Sequence, residues 1–260
     1  QNKKIDILVC ISWQRTIAEW LIKMPKIACV GSHGGHQGMY LSRGRSPMNW
    51  TILAGEKYFI ISLFKIINND ADSGPEMFRQ KIEISLTDDI NDIYFKCHLA
   101  LSQMFTKFLK NTKNINLTKY KGPYKFLPKM TPAEGFVDWT RSKIDVYNFI
   151  RSKTFPYRSA FTYLNKKLLE IKSVQLINTN FYHKYRCGEI VLILNDKRLL
   201  VSVKKGFLTI EIYEKNITNM KEGQILKSVN FRKQMKTIID RHYKTNPKQK
   251  LNNMIMRLTK

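Results

Sequence analysis

The chain has 260 residues, enough for two modest domains or one large one with a full hydrophobic core. Its hydrophobic fraction of 43% is ordinary for a soluble protein. The longest apolar runs, at 5–11, 59–64 and 190–194, fall far short of a membrane span.

The formal charge of +25 is unevenly spread: from residue 151 onward, 24 Lys and Arg face 7 Asp and Glu, a net +17. Such a field attracts polyanions, namely RNA, nucleotides or acidic headgroups. A composition rich in Lys, Asn and Ile throughout accounts for it about equally well. The four cysteines, Cys10, Cys29, Cys97 and Cys187, are widely spaced and include no Cys-x-x-Cys pair. Neither a zinc site nor a disulfide framework is expected, and a reducing cytoplasm is the expected setting. No secretory signal opens the chain, and the absence of an initial Met makes a fragment or processed product the expectation.

The run 5–11 is apolar apart from Asp6, and reads as a strand buried on both faces. Helical spacing follows at 16–23, Pro25 ends it, and 27–30 reads as the next strand. A strand-helix-strand unit of this kind predicts a parallel sheet. The Gly-rich, polar segment 31–47 reads as a loop leaving the carboxyl end of that strand, where open α/β sheets bind ligands. A helix at 48–53, a strong strand at 58–67, a turn-rich loop at 68–75 and a long amphipathic helix at 88–110 complete this half. Residues 111–133, with three prolines and no periodicity, read as a linker. Beyond them come a helix at 142–152 and short strands at 160–163, 168–176, 189–194, 199–203 and 207–213. Turn signals such as Asn195-Asp196 and Lys205-Gly206 separate these strands. That spacing predicts a small barrel, followed from 231 by a basic terminal helix and a loose tail.

Several motifs stand in order. The first half carries Gly31-Ser32-His33, Arg43-Gly44-Arg45-Ser46-Pro47-Met48-Asn49-Trp50 with Gly55-Glu56, and Asp70-Ala71-Asp72-Ser73-Gly74. The second half carries Glu134-Gly135-Phe136-Val137-Asp138-Trp139, Tyr147-Asn148-Phe149-Ile150-Arg151 and Phe155-Pro156-Tyr157-Arg158-Ser159-Ala160-Phe161-Thr162-Tyr163. Taken together, over most of the chain, this order resembles the folate-dependent formyltransferases. That family includes methionyl-tRNA formyltransferase and the enzymes that formylate nucleotide-linked amino sugars.

The resemblance implies an open, Rossmann-like, mostly parallel α/β sheet, truncated at its start, followed by a small OB-like β-barrel. The implied domains are 1–112 (catalytic), 113–133 (linker), 134–230 (barrel) and 231–260 (basic helical tail). It implies 10-formyltetrahydrofolate as formyl donor and no metal. His33 would stabilise the oxyanion, and Asp72 would orient the imidazole and help move the proton, a pairing suited to acid–base work near neutral pH. Trp13, Gln14, Arg15 and Gly31 would contact the folate and Arg43 the substrate, while Trp50, on a helical face, reads as packing.

Three features depart from the family pattern. Gly31 stands where the family carries Asn, and loss of one oxyanion donor costs on the order of a hundred- to a thousand-fold in rate. The loop between His33 and Arg43 is remodelled and longer, with His36 reading as a flexible bystander. His33 also lies close to the start of the chain, where the family has further strand-helix units that would cover the sheet edge. The acceptor implied is the amine of a nucleotide-linked amino sugar, with an aminoacyl-tRNA as the alternative; a homo-oligomer is compatible with either. A non-catalytic remnant or basic RNA-binding protein is the reading from another class.

Overall fold

The computed structural model describes residues 5–13, 15–178, 184–194, 198–213 and 220–259. Strand β1 (Ile7–Cys10) leads through the short helix α1 (Glu19–Lys23) to β2 (Ala28–Gly35), which lies parallel to it. Next come β3 (Arg43–Gly44), α2 (Pro47–Leu53), β4 (Tyr58–Ile66), β5 (Glu76–Glu83) and α3 (Ile90–Lys110). The sheet order is β1-β2-β4-β5, and both junctions made by β4 are antiparallel. The expected mostly parallel sheet is thus corrected to a mixed one, parallel only between β1 and β2. The reason lies in the connections. Helix α1 provides the crossover a parallel pair requires, whereas the turn at 67–75 is closed by Lys65 N–H donating to Pro75 C=O at 3.0 Å and sends β5 straight back.

Strand β2 also runs further than its composition predicts, through Gly31 and His33 to Gly35. Glycine here serves close packing: a Cβ on Gly34 would stand 2.3 Å from the Ile60 carbonyl oxygen on β4. Strand β5 has charged residues at alternate positions, as befits a sheet edge. Helix α3 is started by a capping box, in which the Asp89 carboxylate accepts from Asn91 and Asp92 N–H. Its buried face, including Ile93, Cys97, Leu101 and Phe108, packs with Phe59, Ile61 and Leu63 of β4. Each such side chain contributes about 1.5–3 kcal/mol by leaving water.

Within the expected linker, β6 (Phe126–Leu127) pairs in parallel with β3. After a 3-10 turn at Pro132–Gly135 and helix α4 (Lys143–Arg151), the second sheet forms from β7 (Phe161–Leu164), β8 (Lys167–Leu176), β9 (Ile190–Ile193), β10 (Arg198–Val203) and β11 (Gly206–Ile212). Its order is β7-β8-β11-β10-β9, antiparallel throughout. No pairing joins β7 to β9 among the described residues, so the expected barrel is a half-barrel. The turn expected at Asn195 and Asp196 lies outside the described residues.

The expected loose tail is instead packed. Helices α5 (Phe231–Thr245) and α6 (Asn253–Leu258) place Phe231, Met235, Ile238, Leu251, Met254 and Ile255 in the second core. Helix α2 is shared between the cores: Ile52 faces the first, and Trp50 and Leu53 face the second. Trp50 is wholly buried, and its indole N–H donates to Pro128 C=O at 2.8 Å.

Candidate active site

Strand β2 carries His33 beside the turn that follows β4. The imidazole Nε2 lies 2.8 Å from the Ser42 carbonyl oxygen, and because a carbonyl only accepts, Nε2 holds a proton. The other ring nitrogen, Nδ1, is 3.6 Å from Asp72 Oδ2, an ion-pair distance. Both side chains are largely covered, at 11% and 20% exposure. A proton arriving on this pair is held between two side chains, with the ring fixed at its far edge.

The Asp72 turn is built tightly. Asp72 has a left-handed backbone, φ +56°, which Asp tolerates better than most residues. Asn68 Oδ1 accepts from Asp70 N–H at 3.0 Å and from Ser73 Oγ at 3.1 Å. Tyr40 OH donates to Gly74 C=O at 2.9 Å and accepts from Glu76 N–H at 3.0 Å. Arg43, buried on β3, donates to the Asp70 carboxylate and the Ala71 carbonyl, with its guanidinium 4.5 Å above the Tyr124 ring. It braces the turn from behind.

A cleft opens beside Asp72. Its walls include Trp13 and Arg15 from the loop after β1, Gly31 from β2, Phe64 from β4, and Asn68 and Asp72 from the turn. The structure therefore gathers Trp13, Arg15, Gly31 and Asp72 around one space, while Gln14 lies outside the described residues. His33 and Arg43 do not line this cleft; His33 stands behind Asp72 and Arg43 behind Asp70.

At Gly31 the close approach has chemical weight. A Cβ there would meet Phe64 Cζ at 2.9 Å and Ile66 Cδ1 at 3.0 Å, so an aromatic ring and a methyl group occupy the space a side chain would need. Nearby, Cys10 Sγ lies 3.9 Å from Cys29 Sγ, and burial pushes the Cys29 thiol up to about 12. His36 is not a flexible bystander: its Nε2 is 3.1 Å from Glu56 Oε2 and its ring packs on Tyr58.

Sequence reasoning passed over Ser42, Tyr40, Asn68 and Phe64. Ser42 acts through its carbonyl, which any residue supplies, so no sequence signal could mark it. Asn68 sits in a recognisable Asn-Asn-Asp turn.

A mixed α/β sheet joined to an antiparallel half-barrel, with an imidazole–carboxylate pair at a cleft wall, is an arrangement that can hold and move a proton beside a bound group. Residues 1–109 match the family model described as formyl transferase, and residues 129–230 match the formyl transferase C-terminal domain. The chain belongs to the formyl transferase family. It is 32% identical over 225 residues to the bifunctional polymyxin resistance protein ArnA of Wigglesworthia glossinidia brevipalpis, covering 83% of this chain and 33% of that protein. It is 24% identical over 210 residues to methionyl-tRNA formyltransferase of Ruminiclostridium cellulolyticum, covering 79% of this chain and 65% of that one. The chain thus spans a third of one relative and just under two thirds of the other. Its fold resembles that of the N-formyltransferase from Helicobacter canadensis in complex with folinic acid and dTDP-3-aminofucose, at a TM-score of 0.58 and 18% identity, covering 77% and 71% of the two chains.

Proposed function

We propose that this protein transfers the formyl group of 10-formyltetrahydrofolate to the primary amine of a nucleotide-linked amino sugar. The observation that carries the reading is the Asp72–His33 pair, with Asp72 on the wall of the cleft. Trp13 offers an indole face to a flat ring, Phe64 and Ile66 an apolar wall, and Arg15 a positive rim, so the residues present fit a pterin with an acidic tail. Trp13, Gln14, Arg15 and Gly31 are the proposed donor-binding residues.

The donor, when bound, supplies an activated formyl carbon. Asp72 would accept the proton that the attacking amine sheds as its nitrogen bonds to the formyl carbon, His33 Nδ1 would share it, and the pair would return a proton to the folate nitrogen as its bond to that carbon breaks. This reverses the order of roles implied by the motifs: the carboxylate faces the reactants and the imidazole backs it. The Ser42 carbonyl keeps Nε2 protonated and the ring in place. Asn68, whose Oδ1 is committed to the turn, presents its amide NH2 as the hydrogen-bond donor that Gly31 cannot provide. Arg43 holds the turn and does not reach the cleft. The proposed setting is the cytoplasm, where the four free thiols stay reduced.

A sugar acceptor is supported by the Helicobacter canadensis neighbour, whose bound ligand is an amino sugar nucleotide. Transfer to methionyl-tRNA is the second reading, supported by the tRNA enzyme among the relatives and by the net +17 from residue 151 onward. The test supplies 10-formyltetrahydrofolate with either a dTDP-amino sugar or charged initiator tRNA. Tetrahydrofolate release and the mass of the formylated acceptor are followed. Formylation of the tRNA alone overturns the sugar reading, and release with neither acceptor overturns both.

A further inference from the structure

Residues 231–260 lie beyond both segments matched to the family, yet they reach the candidate site. After α5 the chain returns to the first domain beside β6: Phe126 N–H donates to Lys250 C=O and Asn252 N–H to Phe126 C=O, both at 2.9 Å. Asn252 is 1% exposed and caps α6, its Oδ1 accepting from Met254 N–H at 2.8 Å. That bond fixes which end of the amide is which. Its Nδ2 must then donate on the opposite side, where it meets the Leu41 carbonyl and, at 3.2 Å, Gln37 Oε1. Leu41 immediately precedes Ser42, whose carbonyl takes the His33 Nε2 proton. Further along α6, Arg257 pairs with Glu56, which holds His36 Nε2 at 3.1 Å. The terminal segment therefore grips both ends of the 36–42 loop.

We propose that Asn252 is a positioning residue for formyl transfer. Its amide locks the 36–42 loop so that the Ser42 carbonyl selects the Nε2–H tautomer of His33 and leaves Nδ1 facing Asp72. This rests on the functional reading above, and it assigns the terminal segment a part in the chemistry. A neutral imidazole has two tautomers, and the hydrogen bond at one nitrogen decides what the other can do. With the loop released, His33 loses that selection, although no residue of the loop itself lines the cleft.

The experiment uses Asn252→Ser, which keeps an N-cap oxygen for Met254 N–H but is too short to reach Leu41. A second variant, Asn252→Asp, keeps the cap and turns a carboxylate towards two acceptors. The ¹⁵N imidazole shifts of His33, assigned with His33→Gln, are read beside kcat and KM. The wild type should show one ring nitrogen protonated. In a folded variant the two nitrogen signals should move towards each other and kcat should fall about ten- to a hundred-fold with KM little changed. Wild-type His33 shifts and kcat in either folded variant overturn the proposal. If wild-type protein formylates neither acceptor, the functional reading fails, and the ¹⁵N spectra still decide whether Asn252 sets the tautomer.

Discussion

Replacing Lys153 with Met should stabilise the protein at neutral pH and remove a pH dependence that the wild type carries. Lys153 follows α4, is only 6% exposed, and has its ammonium 3.7 Å from Met130 Sδ and 4.1 Å from the Phe149 ring centroid. Burial pulls its pKa from 10.5 down to about 7; nearby Glu134 opposes the shift and Arg141 adds to it. Between these two values the unfolded chain holds a proton that the folded protein has released. Stability therefore rises with pH across this window, by up to about 1.4 kcal/mol per pH unit. At pH 7, with the folded lysine half protonated, the accumulated penalty is about 4 kcal/mol, and by pH 8.5 it has shrunk by about 1.5 kcal/mol. Methionine has a similar length and no charge, so the variant should lack this slope. Urea denaturation followed by tryptophan fluorescence at pH 7.0, 7.5, 8.0 and 8.5 measures both proteins. Subtracting one curve from the other cancels the buried Cys29 and Cys97 thiols, each pushed up to about 12, which give the opposite slope above their unfolded value of 9.0. A wild-type-minus-variant difference that stays constant with pH would refute the reasoning.

The remaining predictions concern the site. His33→Ala and Asp72→Ala should each lower turnover at least about a hundred-fold, read as tetrahydrofolate release, and unchanged turnover in either removes that residue from the mechanism. Gly31→Asn should destabilise the protein by about 1–3 kcal/mol through overpacking against Phe64, visible as a lower urea midpoint. Adding Phe64→Ala should recover part of that loss; no recovery means that the ring is not what blocks the position. Asn68→Ala should cut kcat about a hundred-fold or more if its amide is the donor at the cleft, and a wild-type rate would place the donor elsewhere.

The elements most legible in the sequence were those with long, unmixed periodicity. The apolar spacing of α3 and the continuous run of β4 identified them within a residue or two. Strand β2 reads as too short in the sequence because Gly31, Gly34 and Gly35 carry the composition of a turn, whereas Gly31 and Gly34 make room for β4 and Gly35 for Ser42. Strands β3 and β6 are two residues each, too short for any period, and β5 hides its few apolar residues among charges. The site divides the same way. His33 and Asp72 were visible as chemistry-bearing residue types in motifs, but that Asp72 faces the cleft and His33 backs it depends on three-dimensional placement. The roles of Ser42 and Leu41 reside in backbone carbonyls, and the hold of Asn252 on Leu41 spans 211 positions of sequence, beyond the reach of any local pattern.

Helix α2 belongs to two interiors at once. Trp50 and Leu53 complete one core, Ile52 completes the other, and Asn49 donates to Ser152 C=O on the far side at 2.7 Å. Neither half can come apart without opening a wall of its neighbour, so thermal or chemical melting should pass through a single transition. Modular exchange is constrained in turn: a graft cut at the linker would divide the two cores, whereas one that carries α2 with the half-barrel would leave the first sheet without part of its cover.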